Sequence, residues 1–226
     1  MRIVYKDKDL IAVNKPPGMV VFSTKKEESV AKTLSLRFPE LKNLGGERCG
    51  AVHRLDKDTS GVLLFARNKD SLAFLQKELL EQKAKKRYIT LVFKKISKDE
   101  GEIRTFIERS RKDRRKQKAS IGEGKREAIT FFRTLERFSD FSLLEVFPQT
   151  GRKHQIRCHL AHIGHPVAGD SLYRFKDQMD PPGLKRQFLH ASRIELETPN
   201  GRKSFEAELP SELTEVIKSL SKNYVN

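Results

Sequence analysis

The stretch HRLDKDTSGVLLFA, residues 53–66, joins a short charged loop to a continuous apolar run. The run Gly61–Ala66 is too short for an independent helix, so the pattern predicts a buried strand. The charged loop, residues 53–61, therefore lies at the end of a rigid strand, a common place for catalytic side chains. A plain turn is the alternative interpretation, because Asp, Ser and Gly also favour turns.

Strand patterns surround this stretch on both sides. The chain opens with two short strands, Ile3–Tyr5 and Leu10–Val13, which are predicted to form a hairpin. Runs rich in β-branched and aromatic residues predict four more strands: Arg87–Phe93, Glu102–Glu108, Ala128–Arg137 and Phe141–Phe147. Because these later strands follow one another without helical crossovers, the pattern predicts an α+β fold with a mixed, largely antiparallel β-sheet flanked by helices.

Apolar residues at helical spacing predict four helices. The first begins near Ser29 and stops before Pro39, and the second is capped by Asp70. The third covers residues 154–163, and the last is capped by Ser211. Their predicted inward-facing residues are Val30, Leu34, Phe38, Leu72, Leu75, Leu79, Ile156, Leu160, Ile163, Leu213, Ile217 and Leu220.

Length and charge narrow the class of protein. At 226 residues and 26.0 kDa, the chain is expected to form one domain over residues 1–226. Its net charge of +16 and pI of about 9.9 are typical of a protein that binds a polyanion, with nucleic acid the leading candidate. Two cysteines cannot form a disulfide framework, and no apolar stretch is long enough for a membrane span. The sequence therefore predicts a soluble, cytoplasmic protein with no membrane partner.

The most basic segment is Arg109–Arg126, which holds nine Lys or Arg residues against Asp113 and Glu123. One interpretation is a solvated loop between predicted strands. In a chain of this charge the second interpretation is contact with phosphates, for which Arg114 and Arg115 are candidates.

A second polar cluster, TGRKHQIRCHLAHIGHP, follows at residues 150–166. Because apolar residues take the core face of the predicted helix, His154 and Arg157 are expected to be neighbours on another face. An arginine placed in this way can bind a carboxylate with two parallel hydrogen bonds.

Metal binding is the alternative for both polar clusters. Four histidines of the second cluster suggest zinc: His154, His159, His162 and His165. No Cys pair or Glu accompanies them in a known ligand pattern. Asp56 and Asp58 could hold magnesium, but side chains two residues apart in an extended loop point to opposite sides. We therefore expect no metal.

Together these clusters resemble the RluA-type family of RNA pseudouridine synthases. The closest match is residues 53–61, which resemble the family's catalytic loop with Asp56 at the catalytic aspartate. The other matching motifs are Lys15-Pro16-Pro17-Gly18, Lys86-Arg87-Tyr88, the stretch 150–173 and, more weakly, Leu189-His190-Ala191. The resemblance implies the pseudouridine synthase catalytic fold with a basic active-site cleft, present here without the small S4-like RNA-binding domain of many relatives.

The resemblance also implies the reaction, in which a uridine of RNA is isomerised to pseudouridine without metal, cofactor or redox change. Asp56 is the implied catalytic carboxylate, as a nucleophile at C1′ or as a base at C2′, and the sequence leaves both roles open. Arg157 is implied to pair with Asp56, and Tyr88 to stack against the target base. Arg54 is implied to enter the space that the flipped base leaves.

The expected partner is a structured RNA, ribosomal or transfer, bound by a monomer. Predicted RNA contacts are His53, Arg54, Lys86, Arg114, Arg115, Arg152 and His154. Phe22 stands where relatives often have His. Two other functions remain open at this point. One is a pure RNA-binding module, and the other is a nuclease with Asp56, Asp58 and Asp170 around magnesium.

Overall fold

A computed structural model describes residues 1–25, 27–122 and 126–222, and these residues form two compact units. Unit 1 comprises Met1–Lys86 and Ala191–Glu208. Unit 2 comprises Arg87–His190 and the chain from Leu209 onward. The single domain over residues 1–226 stays a prediction.

The described residues form ten β-strands and four α-helices. The strands are β1 (Arg2–Lys6), β2 (Leu10–Lys15), β3 (Ser60–Ala66), β4 (Lys85–Phe93), β5 (Glu100–Arg109), β6 (Gln117–Ser120), β7 (Glu127–Arg137), β8 (Phe141–Pro148), β9 (Leu189–Thr198) and β10 (Gly201–Glu206). The α-helices are α1 (Val30–Arg37), α2 (Lys69–Leu80), α3 (Gln155–His162) and α4 (Ser211–Lys222). Short 3-10 helices cover Pro39–Asn43 and Gly46–Arg48.

In unit 1 the strands lie in the order β1-β2-β3-β9, and β10 pairs with β9. The pairs β1–β2, β2–β3 and β9–β10 are antiparallel. All seven residues of β3 are buried, because its sides carry Val, Leu and Phe and both of its edges are paired. Helix α2 packs Leu72, Leu75 and Leu79 into the same core as Val62 and Leu64 of β3. The predicted buried strand and the apolar face of this helix are confirmed.

In unit 2 the strands lie in the order β4-β8-β7-β5-β6, and each of these neighbouring pairs is antiparallel. Helix α3 packs against Val92 and Leu144, whereas α4 packs against Leu91 and Leu143. Because successive residues of a strand point to opposite faces, the two helices cover opposite faces of this sheet. The predicted α+β fold with a largely antiparallel sheet is confirmed, and the basic cleft stays a prediction.

Two predicted helix caps are wrong. The side chain of Asn68, not Asp70, caps α2 by accepting a hydrogen bond from the backbone nitrogen of Ser71 at 2.8 Å. Asp70 lies in the first turn, where its charge still suits the positive end of the helix dipole. Ser211 is the first residue of α4, and the Pro210 carbonyl accepts the first helical hydrogen bond instead.

Two further predictions need correction, and one element was missed. Ile163 was expected in the core, but it follows the last residue of α3 and is 36% exposed. The segment Arg109–Arg126 is not a loop throughout, since β6 pairs with β5 inside it. The hairpin of β9 and β10 was not predicted at all.

No helix of the described residues is long and apolar enough to cross a membrane.

Candidate active site

Asp56 lies in the irregular segment that leads directly into β3, so its backbone continues into the most buried strand of unit 1. The backbone nitrogen of Thr59 donates to the Asp56 carbonyl at 3.1 Å, which closes a turn over Lys57 and Asp58. Leu55 and Thr59 are buried on either side, while Asp56 itself is half-buried. Asp56 is therefore carried on a short, fixed loop and is partly exposed to solvent.

The Lys15 side chain binds the backbone of this loop. It ends β2 and is fully buried, and its Nζ donates to the carbonyls of Pro16 at 2.7 Å and Lys57 at 2.8 Å. A buried ammonium group needs acceptors of this kind, because losing its hydration is costly. The lysine of the Lys15-Pro16-Pro17-Gly18 motif thus binds the backbone one residue after Asp56.

Gly61, at the end of the Asp56 loop, lies directly against Ala191 of the Leu189-His190-Ala191 motif. Its φ of +120° is a conformation that residues with side chains rarely adopt, and a Cβ there would lie 2.2 Å from the Ala191 carbonyl oxygen. Only glycine lets β9 approach the end of the Asp56 loop this closely. Gly61 of the Asp56 loop and Ala191 of the Leu189-His190-Ala191 motif are therefore neighbours within unit 1.

His53 and Lys86, both predicted RNA contacts, lie in unit 1. The Leu64 backbone nitrogen donates to His53 Nε2 at 3.2 Å, which assigns the ring proton to Nδ1. Burial, with a smaller contribution from the Lys86 charge, lowers the pKa of His53 to about 3, so the ring is neutral at pH 7. Burial also lowers the pKa of Lys86 to about 8. Their contacts with RNA stay predictions, and His53 would meet RNA as an uncharged group.

Phe22 lies between two arginines. The guanidinium carbon of Arg48 is 5.3 Å from the centre of the Phe22 ring, and that of Arg54 is 5.7 Å away. Both arginines are exposed, and the phenyl ring is half-buried. Cation–π contacts of this kind hold a guanidinium plane near the ring. The residue that departs from the family pattern thus contacts the arginine expected to enter the RNA stack.

Arg157 lies on α3 in unit 2 and binds the carboxylate of Asp170. Its Nε donates to Asp170 Oδ2 at 2.6 Å and its Nη2 to Asp170 Oδ1 at 2.8 Å. Both residues are buried, at 7% and 1% exposure. The sequence anticipated a carboxylate held by two hydrogen bonds but did not identify Asp170 as that carboxylate. Pairing of Arg157 with Asp56 stays a prediction, because the two residues belong to different units.

Tyr173 joins the predicted neighbours His154 and Arg157. The Arg157 guanidinium lies 5.2 Å from the centre of its ring, and the His154 ring meets it edge-on at 5.8 Å. The Tyr173 hydroxyl accepts from the backbone nitrogen of Gln117 at 2.6 Å and lies 3.1 Å from His154 Nδ1. Burial raises the pKa of Tyr173 well above its usual range. Sequence reasoning missed this tyrosine, although it ends the matched stretch 150–173.

Tyr88, the implied base-stacking residue, lies on β4 opposite Val146 of β8. It is half-buried and packs at the edge of the core cluster that includes Ile156 and Leu160 of α3. This places it on the α3 side of the unit 2 sheet, together with Arg157. Its role toward a base stays a prediction.

The basic segment places Arg114 and Arg115 on the surface, just before β6. Arg115 forms an ion pair with Asp113, with Nη2 and Oδ2 2.8 Å apart, and its hydrogen bonds lower the pKa of Asp113 to about 2. Arg152 is half-buried, and its Nε donates to the Glu127 carbonyl at 3.1 Å. RNA contact by these arginines stays a prediction. Glu123, which the segment also includes, lies outside the described residues.

The metal alternatives find little support in the described part of the chain. No group of three His, Cys, Asp or Glu residues there could hold a metal ion. Both ring nitrogens of His159 lie beside threonine hydroxyls, with Thr130 at 2.9 Å and Thr105 at 3.0 Å. Asp170, which the nuclease alternative requires, is engaged by Arg157 and by two backbone nitrogens.

Known proteins match this chain over most of its length. The profile of a family described as RNA pseudouridylate synthase matches residues 9–162. A Bacillus subtilis protein named as an uncharacterized RNA pseudouridine synthase is 38% identical over 226 residues, covering 98% of this chain and 73% of that protein. The ribosomal large subunit pseudouridine synthase D of Borreliella burgdorferi is 34% identical over 229 residues, covering 98% of this chain and 69% of that protein.

The fold has a counterpart among solved structures as well. Human RNA pseudouridylate synthase domain containing 4 aligns with a TM-score of 0.78 at 24% identity, covering 97% of this chain and 92% of that one. At this identity the likeness concerns the fold alone, and it confirms the pseudouridine synthase fold.

The chain belongs to the RNA pseudouridylate synthase family. It is an enzyme of the pseudouridine synthase class, an isomerase, as the motifs predicted. The chain spans about two thirds of the length of the curated relatives that it matches.

Proposed function

We propose that this protein isomerises one or more uridines of a structured RNA to pseudouridine, with Asp56 as the group that acts on the sugar. The observation that carries the proposal is the loop of Asp56. Asp56 is half-buried and lies just before a fully buried strand, and the carbonyl of the next residue, Lys57, accepts a hydrogen bond from the buried Lys15. Family membership supports the same reaction.

In this reaction the bond between C1′ and N1 breaks, and its electron pair leaves with the uracil. The sugar then has oxocarbenium-like character at C1′, which a nearby carboxylate stabilises. Asp56 either bonds to C1′ or takes the proton of C2′, and both routes require its anionic form. The uracil turns and C5 bonds to C1′, which breaks the bond between Asp56 and C1′ on the first route. On the second route Asp56 returns the proton to C2′. C5 then loses its proton, and N1 of the uracil gains one. Atoms and electrons balance without an added cofactor or metal.

Arg157 is proposed to supply the positive charge that favours the anionic carboxylate of Asp56. Arg157 also binds Asp170 through a fork of two hydrogen bonds, from Nε and Nη2. A guanidinium suits this task, because it is charged at every physiological pH and has donors on more than one edge.

Base flipping is proposed to bring the target nucleotide to Asp56, since C1′ is shielded while the base is stacked. Arg54 would fill the space that the base leaves, and Tyr88 would stack on the extruded uracil. Tyr88 is assigned stacking rather than proton transfer, because a phenol is a weak base at neutral pH. The exposed position of Arg54 and its contact with Phe22 support the insertion role.

Ribosomal RNA is the substrate class that the names of relatives suggest, and transfer RNA is the alternative. The net charge of +16 supports binding to the phosphate backbone, so affinity should fall steeply with salt. Predicted contacts with the RNA are His53, Arg54, Lys86, Arg114, Arg115, Arg152 and His154.

The proposal is tested by pseudouridine mapping of total RNA from cells with and without this gene. We expect at least one uridine to lose its modification on deletion and to regain it when the wild-type gene is returned. The same gene carrying Asp58→Asn should also restore the modification, because Asp58 has no role in the reaction. An unchanged map would contradict the proposal and favour a pure RNA-binding module. Loss of function with Asp58→Asn would favour the metal-dependent alternative.

A further inference from the structure

The geometry points to Asp170 as a positioning residue for the reaction. We propose that its buried carboxylate sets the plane of the Arg157 guanidinium, and that Tyr173 holds the face of the same group. Arg157 is then oriented for Asp56 before RNA arrives. This inference rests on the proposed function and assigns tasks to two residues outside the implied catalytic set.

The fork fixes the direction of the arginine. Asp170 takes Nε and Nη2 of Arg157 at 2.6 and 2.8 Å. Because the guanidinium is planar, two parallel hydrogen bonds on one edge determine where its remaining nitrogen points. Both partners are buried, so water competes little for these hydrogen bonds.

Asp170 is itself fixed by the backbone that follows it. Its Oδ1 also accepts from the backbone nitrogens of Leu172 at 2.9 Å and Tyr173 at 3.1 Å. A short aspartate side chain bonded to its own following backbone has few alternative conformations. The carboxylate is therefore a rigid reference for a long, flexible arginine.

Tyr173 adds a second restraint on the Arg157 guanidinium. Its ring lies 5.2 Å from the Arg157 guanidinium carbon, within the range of a cation–π contact. The ring cannot turn away easily, because its hydroxyl accepts from the Gln117 nitrogen and lies beside His154 Nδ1. Arg157 is thus held along one edge by Asp170, and its guanidinium carbon lies over the Tyr173 ring.

Gln117 connects this arrangement to the basic segment that holds the predicted RNA contacts Arg114 and Arg115. It begins β6, directly after the basic residues Arg114, Arg115 and Lys116. The Lys116 ammonium lies 6.0 Å from the centre of the Tyr173 ring. Tyr173 therefore contacts both Lys116 of the basic segment and Arg157.

The physical benefit is that ordering of the arginine precedes the reaction. An arginine side chain has many rotamers, so fixing it in one of them costs conformational entropy. If that ordering occurred in the transition state, it would slow the chemical step, whereas a guanidinium already in place adds no such cost. A merely structural ion pair between Arg157 and Asp170 would stabilise the fold without affecting the rate of the chemical step.

The test compares Asp170→Asn with the wild type on the RNA fragment that the mapping experiment identifies. Asparagine keeps an acceptor for the Leu172 and Tyr173 nitrogens but loses the charge and one arm of the fork. We expect the maximal single-turnover rate to fall about 100-fold, with the Kd for RNA changed by less than about twofold. A rate within about threefold of wild type would overturn the inference.

Asp180→Asn is the matched control. Asp180 holds the same loop by accepting from the Gly169 nitrogen at 2.7 Å, and among the described contacts it pairs with Arg174 rather than Arg157. We expect this variant to react at nearly the wild-type rate. An equal loss of rate in both variants would assign Asp170 a general structural role and overturn the inference.

A double-mutant cycle with Arg157→Lys separates positioning from stability. Lysine cannot form the fork, so Asp170→Asn should slow the Arg157→Lys enzyme by less than about threefold. If the two effects instead multiply fully, Asp170 does not act through Arg157. If Asp170→Asn fails to fold, Tyr173→Phe decides: a slower chemical step at unchanged RNA affinity supports the inference, and a wild-type rate overturns it.

These outcomes are distinguishable from failure of the proposed function. A wild-type protein that forms no pseudouridine on any RNA would contradict the proposed function itself. A fully active wild type together with a fully active Asp170→Asn contradicts this inference alone.

Discussion

The loop around Asp56 and the helix that carries Arg157 fix their functional side chains in different ways. Asp56 is placed through its backbone, by a turn onto its own carbonyl and by Lys15 on the next carbonyl. Arg157 is placed through its side chain, by the Asp170 carboxylate and the Tyr173 ring. The difference follows from side-chain length. A fixed backbone nearly fixes an aspartate, whereas an arginine keeps several rotatable bonds that only contacts at its tip can order.

Among substitutions of residues other than Asp56, Arg157→Ala is expected to have the largest effect. Removing the guanidinium should slow the maximal single-turnover rate by about 10³-fold, because Asp56 loses its proposed charge partner. It also leaves the Asp170 carboxylate buried without its cation, which should cost about 3–5 kcal/mol of unfolding free energy. Single-turnover assays and urea unfolding measure the two effects. A near-normal rate would refute the pairing with Asp56.

A pH effect on stability should come from the helix of Arg157. Burial lowers the pKa of His159 to about 4, with a smaller contribution from His162, so the folded protein holds its ring neutral. The stabilisation is fully present above the unfolded pKa near 6.5 and is lost as pH falls toward 4. We expect a loss of roughly 3 kcal/mol over that window. His159→Gln should show a shallower decline in urea unfolding, and an identical decline would contradict this assignment.

Lys15→Met tests whether the Asp56 loop depends on its backbone contacts. Methionine fills similar space but leaves the carbonyls of Pro16 and Lys57 without this donor, which should cost about 2 kcal/mol. The reaction should slow about tenfold, because the loop beside Asp56 relaxes. Lys57→Met is the matched control, since it keeps the carbonyl that Lys15 binds. Equal losses in the two variants would show that Lys15 does not act through this carbonyl.

The smallest effect is expected for Phe22→Leu, which removes the ring beside Arg54. A cation–π contact at an exposed site is worth about 0.5–1 kcal/mol, so reaction at subsaturating protein should slow about two- to fivefold. In an Arg54→Ala background the same substitution should have no further effect. A full loss of the same size in that background would show that Phe22 does not act through Arg54.

Local patterns predicted the Asp56 loop well, because it and β3 form one contiguous stretch. The apolar run is too short for an independent helix, so a buried strand was the simplest interpretation. All seven residues of β3 are buried. The face of α2 was also predictable from spacing. Asp70 was assigned as the cap because it has the right chemistry, but Asn68 two residues earlier has it too, and local sequence does not decide between them.

Contacts at a distance along the chain were not predictable in the same way. Asp170 lies 13 residues beyond Arg157, and nothing in the spacing identifies it as the partner. Lys15 is fully buried, against the strong tendency of lysine to lie at the surface. The hairpin of β9 and β10 did leave a signal, since Asn200-Gly201 is a favoured turn pair, and that signal was overlooked.

The most direct test of the account is single-turnover pseudouridine formation by purified Asp56→Asn, with RNA binding measured in parallel. The substitution keeps the size of the side chain and removes its charge, while the basic surface is unchanged. The account predicts no detectable pseudouridine and a Kd for the RNA within about twofold of wild type. Pseudouridine formed at the wild-type rate by this variant would contradict the central claim that Asp56 acts on the sugar.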